Sequence, residues 1–110
     1  MKKAQVISII RETAERRGFV TNIYQWTSLI EIQEPGDTHF LNFMVTESTA
    51  PDTDWSKRKV TMELHVRASL ASMGGNPMPE DLLKASEIIR RGAELVRELE
   101  AMKLSYTEEF

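Results

Sequence analysis

A strict alternation of apolar and polar residues runs from about Arg58 to Ala71 and is the clearest local pattern in the chain. Its apolar members are Val60, Met62, Leu64, Val66, Ala68 and Leu70. Successive side chains of a β-strand point to opposite faces of its sheet. The pattern therefore predicts a strand with one buried face and one face in water.

Two further strands are predicted upstream. The segment from about Asn22 to Gln33 is rich in Ile, Tyr, Trp and Thr, which favour a pleated and half-buried surface, and a second segment runs from about Thr38 to Glu47. Between them, residues 34–37 read Glu-Pro-Gly-Asp. Proline presets one φ angle and glycine accepts a positive φ, so this tetrapeptide predicts a turn.

The turn also predicts how the first two strands pair. A hairpin that is symmetric about it places Ile30 opposite Leu41 and Ile32 opposite His39. Even positions of the first strand then share one face with odd positions of the second and even positions of the third. A slip by one residue would turn every side chain to the wrong face, so the parity of this register is strongly constrained.

Helical spacing of apolar residues appears at both ends of the chain. The first helix is predicted from about Lys3 to Arg17, where Gly18 supplies a stop signal. The second is predicted to begin near Pro79 or Glu80 and to reach about Met102. Its apolar positions, at steps of three and four residues, are Leu82, Ala85, Ile89, Gly92, Val96 and Leu99.

Together these elements predict an α+β fold of order α-β-β-β-α. We expect a three-stranded antiparallel meander with both helices packed on its apolar face. The 110 residues are the usual length of one domain, and neither a repeat nor a linker divides them, so residues 1–110 are expected to form a single domain.

Composition narrows the possible functions further. The chain has no cysteine, which excludes disulfides and thiolate metal sites, and its net charge of −3 argues against a strongly basic nucleic-acid binder. No apolar run approaches the roughly 20 residues of a membrane span. The apolar stretch 6–10 is short and ends at Arg11, without the pattern of a signal peptide. We therefore expect a cytoplasmic protein without a cofactor.

No constellation in the sequence predicts catalysis or metal binding. The register places His39 on the helix-covered face and His65 on the open face, so the two histidines cannot share a ligand. Glu63 and Arg67 flank His65 on its own face, which indicates cross-strand charge pairing. Residues 52–54 have the Asp-x-Asp spacing of a calcium loop but lack its glycine and distal glutamate. We expect a protein that is not an enzyme.

The open face of the sheet carries the residues that we predict to bind protein. Apolar side chains interrupt its polar surface, and an exposed apolar patch marks an interaction site when it is contiguous. The predicted contact residues are Leu29, Phe40, Met44 and Arg67, with Trp55 in the loop 48–58 at the rim. The sequence thus favours a small intracellular interaction module, such as an adaptor, an inhibitor or a chaperone-like protein. Its partner is another protein or a second copy of the chain.

A second interpretation remains open for the loop 48–58. Trp55 precedes the basic run of Lys57, Arg58 and Lys59, a combination that can stack a base and contact phosphates. Tryptophan and arginine are equally favoured as anchors of protein interfaces. The negative net charge ranks nucleic acid behind protein as the ligand of this loop.

Overall fold

The computed structural model describes residues 1–23, 29–34, 41–70 and 75–109. Within these residues the chain forms two α-helices, five β-strands and a short 3-10 helix. In chain order they are α1 (Lys3–Arg16), β1 (Val20–Asn22), β2 (Ile30–Gln33), β3 (Leu41–Thr49), the 3-10 helix (Trp55–Lys57), β4 (Lys59–Leu70), α2 (Pro79–Met102) and β5 (Ser105–Glu109). The predicted α+β class and both predicted helices are confirmed.

The strands differ from the prediction at two places. In place of the expected long strand from Asn22 to Gln33, the described residues form the short strands β1 and β2, which pair antiparallel with each other. The strand β5, which follows α2, was not predicted. The sheet therefore has five strands in the order β1-β2-β3-β4-β5, all antiparallel, rather than three. The predicted turn at 34–37 lies outside the described residues from position 35 onward.

The register between β2 and β3 is displaced from the predicted one, although its parity is correct. Ile30 lies opposite Val45 and Ile32 lies opposite Phe43, four positions beyond the symmetric hairpin. A shift by an even number of residues leaves each side chain on the same face. The predicted apolar face is consequently the buried one, and all four of these side chains are in the core.

Both helices pack against this apolar face. From α1 the core receives Val6, Ile10 and Ala14, and from α2 it receives Leu95 and Leu99. The helix α1 contacts β1 and β5, which are the two outer strands of the described sheet, so the sheet curls around it. Among the described helices, none combines the length and apolar character that crossing a membrane requires.

Gly92 sets how closely α2 approaches the sheet. A Cβ atom at this position would lie 2.6 Å from Leu41 Cδ2 and 2.7 Å from Phe43 Cζ. Real Cβ contacts are essentially never under 3.0 Å, so glycine is what allows this contact. Leu41 begins β3, and Pro79 begins α2 thirteen positions before Gly92. The contact therefore places the middle of α2 against the start of β3.

Arginine side chains at the end of α1 tie the two helices together. Arg17 donates from Nε to Glu98 Oε2 at 2.7 Å and from Nη1 to Glu94 Oε2 at 3.2 Å. Gly18 then takes a φ of +85°, as predicted for the residue that ends this helix. These bonds join the end of α1 to the second half of α2.

Candidate functional site

The predicted contact residues of the open face differ in whether the structure exposes them. Met44 and Arg67 lie directly opposite each other on β3 and β4, and both are exposed, Met44 at 38%. The predicted exposure of Leu29 is wrong, because this side chain is 7% exposed and belongs to the core. The chain bends at Leu29, one residue before β2, so the alternation of the strand does not extend to it. Phe40 lies outside the described residues.

The open face itself is a network of polar side chains. Glu31 Oε1 accepts hydrogen bonds from Asn42 Nδ2 at 2.9 Å and from Gln33 Nε2 at 2.7 Å. Met44 lies between Glu31 on β2 and Arg67 on β4, so charged residues border it on both sides. Across the described part of this face, Met44 is therefore an isolated apolar residue and not the centre of an apolar patch.

His65 lies exposed on the open face, as predicted, but its partner differs from the expected one. Its Nε2 atom is 2.6 Å from Ser48 Oγ on β3, in place of a pairing with Glu63 or Arg67. Within the described residues, no three histidine, cysteine, aspartate or glutamate side chains come close enough to hold a metal ion. His39 lies outside the described residues.

The loop before β4 is locally well organised and strongly exposed. Asp54 caps the 3-10 helix by accepting hydrogen bonds from Ser56 Oγ at 2.6 Å and from the backbone N–H of Ser56 at 3.1 Å. The hydrogen bond from the Ser56 side chain is the main cause that lowers the pKa of Asp54. Trp55 is 67% exposed, and Arg58 adopts the left-handed region with a φ of 54°.

The structure separates Trp55 from the open-face residues that were grouped with it. Trp55 lies beside the start of β4 at Lys59, whereas Arg67 lies eight positions further along the same strand. At about 3.3 Å per residue, these positions are roughly 26 Å apart. A single small ligand cannot touch both, so the predicted binding surface is two separate places.

The end of β4 that holds Arg67 has another feature, which sequence reasoning missed. The strand β5 pairs with β4 only from Lys59 to Glu63. From Leu64 to Leu70, the described residues pair with β4 on one side alone, the side of β3. We call the opposite side of residues 64–70 the open edge of β4.

The alternation of hydrogen bonds shows which backbone groups face this open edge. The carbonyl of Thr61 accepts from Ala50 N–H, on the side of β3. In an antiparallel sheet, successive residues of a strand direct their N–H and C=O groups to opposite neighbours. Odd-numbered residues of β4 thus bond to β3. The residues that direct both backbone groups to the open edge are Leu64, Val66, Ala68 and Leu70.

Natural proteins protect such edges with prolines, bulges, charges or a short strand length. The open edge of β4 has neither a proline nor a bulge, since its register with β3 is continuous over nine residue pairs. Other edges of the described sheet are protected. The strand β1 has three residues, and on β5 the outward N–H of Thr107 donates to the carbonyl of Met1 at 3.4 Å.

A cavity of about 560 Å³ lies where β5 departs from β4. Leu64 and Val66 line it from β4, Leu99 from α2, and Lys103 and Leu104 from the segment that leads into β5. Leu64 and Val66 are only half-buried. The volume falls within the roughly 300–1,000 Å³ of ligand-binding pockets, so this space can accept more than one side chain.

Burial raises the pKa of a tyrosine near this site. Tyr106 on β5 is 2% exposed, and its hydroxyl donates to the carboxylate of Glu47 on β3. Burial is the larger cause that raises the pKa of Tyr106, and the hydrogen bond to Glu47 adds to it. The hydrogen bond of the neutral tyrosine thus links β5 to β3 across β4.

Comparison of the chain with protein-family models gives no match, and neither do comparisons with curated proteins and with solved structures. Function must therefore be argued from the geometry of the chain itself. The open edge of β4 and the cavity beside it are the strongest basis for that argument.

Proposed function

We propose that this protein is a small, non-enzymatic interaction module that binds another protein along the open edge of β4. The observation that carries the proposal is the edge over residues 64–70 that no described strand pairs with, with a cavity at its start. Arg67 lies in this part of β4, and Met44 lies opposite it on β3. Both residues belong to the proposed contact. The role is that of an adaptor, an inhibitor or a chaperone-like protein, and a cytoplasmic location is part of the proposal.

Backbone pairing supplies part of the binding free energy and cannot supply all of it. The four outward residues each offer an N–H and a C=O group, and each hydrogen bond formed contributes about 0.5–1.5 kcal/mol. Association costs an estimated 4–15 kcal/mol in lost freedom of motion. The two quantities are comparable, so stable binding also requires side-chain contacts. The half-buried Leu64 and Val66 beside the cavity are placed to provide them.

The test is capture of partners from the source lysate after nuclease treatment, read by mass spectrometry. Ala68→Pro removes an N–H group that faces the open edge and leaves the bonds between β4 and β3 in place. The matched control is Thr107→Pro, which removes an outward N–H group from β5 instead. We expect the wild type and the control to retain one protein at stoichiometric level, and Ala68→Pro to lose it.

Two outcomes would contradict the proposal. If Ala68→Pro folds, as judged by circular dichroism, and retains the partner, the contact lies elsewhere on the molecule. If the wild type retains no protein at all, the interaction module itself is the wrong function.

A second candidate function is nucleic-acid binding by the loop 48–58. Trp55 is largely exposed, and among the described residues no acidic side chain forms an ion pair with Lys57 or Arg58. Lys59 is 3.5 Å from Glu109 and is therefore partly neutralised. Under this alternative, a single-stranded oligonucleotide binds with a steep dependence on salt, and Trp55→Ala weakens it. Absence of binding at low salt would remove the alternative.

A further inference from the structure

We infer that the open edge of β4 accepts an extended segment of a partner protein in which apolar residues alternate with acidic ones. The segment would add to the sheet as a strand in line with β5. This inference rests on the proposed function and specifies the chemistry of the partner.

The space for such a strand is present in the structure. In the described sheet, β5 occupies the position next to β4 only as far as Glu63. The cavity begins there, since Leu64 and Val66 line it together with Lys103 and Leu104, which lead into β5. A strand that continues the line of β5 therefore lies beside the cavity.

One face of the added strand must be apolar. Partner residues opposite Leu64 and Val66 point to the same face as these side chains, toward the helices. Leu99 of α2 lines the cavity on that side and is itself buried. Apolar side chains at alternate positions of the partner would fill this space and would complete the burial of Leu64 and Val66.

The other face of the added strand lies beside the cation of Arg67. Partner residues opposite His65 and Arg67 point to the open face of the sheet. Arg67 is exposed and forms no ion pair or hydrogen bond with any described residue. An acidic side chain opposite Arg67 supplies its missing partner. Glu63 lies at the other end of the edge, next to the cavity, and would repel an acidic side chain there. An acidic residue of the partner is therefore favoured opposite Arg67 and disfavoured near Glu63.

The same charges argue against a second copy of the chain as the occupant. Antiparallel self-pairing centred on Val66 places Ser69 of the copy opposite Glu63, where β5 already lies, and pairing centred on Arg67 places this arginine against its own copy. Like charges directly opposite each other are destabilising. Pairing centred on Ala68 avoids this repulsion, but Leu70, the last described residue of β4, then lies opposite Val66, so the described part of the copy does not reach Leu64.

Two synthetic peptides test the inference by fluorescence anisotropy. One is a seven-residue peptide that alternates valine with glutamate, and the other replaces each glutamate with lysine. We expect the acidic peptide to bind at least about tenfold more tightly at low salt, because an acidic residue faces Arg67. Arg67→Glu should reverse this preference, Ala68→Pro should weaken both peptides, and Thr107→Pro should behave as the wild type.

The outcomes separate this inference from the proposed function. Equal binding of the two peptides, or an unchanged preference in Arg67→Glu, would overturn the inferred acidic pattern, even if lysate capture still depends on Ala68. A dimer in sedimentation experiments that Ala68→Pro dissociates would overturn it too, because the occupant would then be a second copy. If Ala68→Pro fails to fold, the peptide preference of Arg67→Glu still tests the inference, since this variant changes an exposed side chain and leaves the backbone bonds intact.

Discussion

The two halves of β4 have the same alternating sequence and very different surroundings. From Lys59 to Glu63 the strand pairs with β5, and Met62 and Glu63 also pair with β3. Val60 is buried on the inner face of this half. From Leu64 to Leu70 it pairs with β3 alone among the described residues, and exposure rises until Leu70 is 60% exposed. Alternation in a sequence thus indicates which face of a strand is apolar, but not whether the strand has a neighbour on each side.

The difference arises from unequal strand lengths. The strand β4 has twelve residues, and β5 has five. A strand that is longer than its neighbour leaves some backbone donors and acceptors without protein partners. In other proteins, such edges pair with a strand from a binding partner. We therefore expect the paired half of β4 to contribute most to the free energy of unfolding, and the open half to contribute to the binding of a partner.

The largest expected effect is in the paired half. Tyr106→Ala should lower the free energy of unfolding by about 3–5 kcal/mol, the usual cost of truncating a buried aromatic side chain. Tyr106 is buried opposite Met62 and belongs to the main core cluster. Chemical denaturation followed by circular dichroism measures this loss.

The control for this experiment is Leu70→Ala in the open half. Leu70 is mostly exposed, so we expect a change within about 0.5 kcal/mol. Equal losses in the two variants would show that the halves contribute alike to stability, and the comparison would fail.

Hydrogen exchange measures, amide by amide, the difference in protection between the paired half and the open half of β4. In the free protein, amides of even-numbered residues from 64 to 70 should exchange fast, because they face water. Odd-numbered residues from 65 to 69 bond to β3, and Val60 and Met62 bond to β5, so these amides should exchange slowly. A difference of about 3 kcal/mol in local opening free energy slows exchange roughly a hundredfold. Uniform protection along β4 would mean that another segment already covers the open edge.

A smaller effect concerns the hydroxyl that joins β5 to β3. Tyr106→Phe removes the hydrogen bond to Glu47 and should cost about 1 kcal/mol near neutral pH. Folding raises the pKa of Tyr106 above its usual value of about 10, so the folded state favours the neutral phenol. Its contribution to stability is complete below pH 10 and is lost as the pH rises further.

Denaturation midpoints of the wild type and Tyr106→Phe, measured between pH 7 and pH 11, check this linkage. The stability difference between the two proteins should shrink above pH 10. A constant difference over the whole range would show that the folded state does not favour the neutral tyrosine.

The helices and β4 were predictable because their signals are local. The periodicity from Pro79 to Met102 is long enough to place α2 within a residue at each end. The strand β5 has five residues and ends in two glutamates, so nothing local distinguishes it from a polar tail. It becomes a strand because Tyr106 is buried and β4 offers an edge, and both causes are tertiary.

The candidate site was predictable only in part, for the same reason. Arg67 was placed on the open face by parity, and Met44 followed from the same rule. Leu29 was misplaced because a bend interrupts the chain before β2, which alternation cannot reveal. The open edge depends on where β5 stops, and that end is set by the link from α2 rather than by the sequence of β4.

The smallest expected effect concerns the charge pair between Lys59 and Glu109 at the start of the paired half. The two side chains are 53% and 71% exposed, and their charged atoms are 3.5 Å apart. Exposed pairs contribute about 0.2–1 kcal/mol, so a double-mutant cycle with Lys59→Ala and Glu109→Ala should give a coupling near the lower end of that range. Arg67→Ala combined with Glu109→Ala is the control and should show no coupling, because Arg67 lies in the open half. A coupling well above 1 kcal/mol for the first pair would mean that electrostatics hold β5 in place. A value near zero leaves the burial of Tyr106 and the backbone bonds of β5 as the reason why one half of β4 is closed.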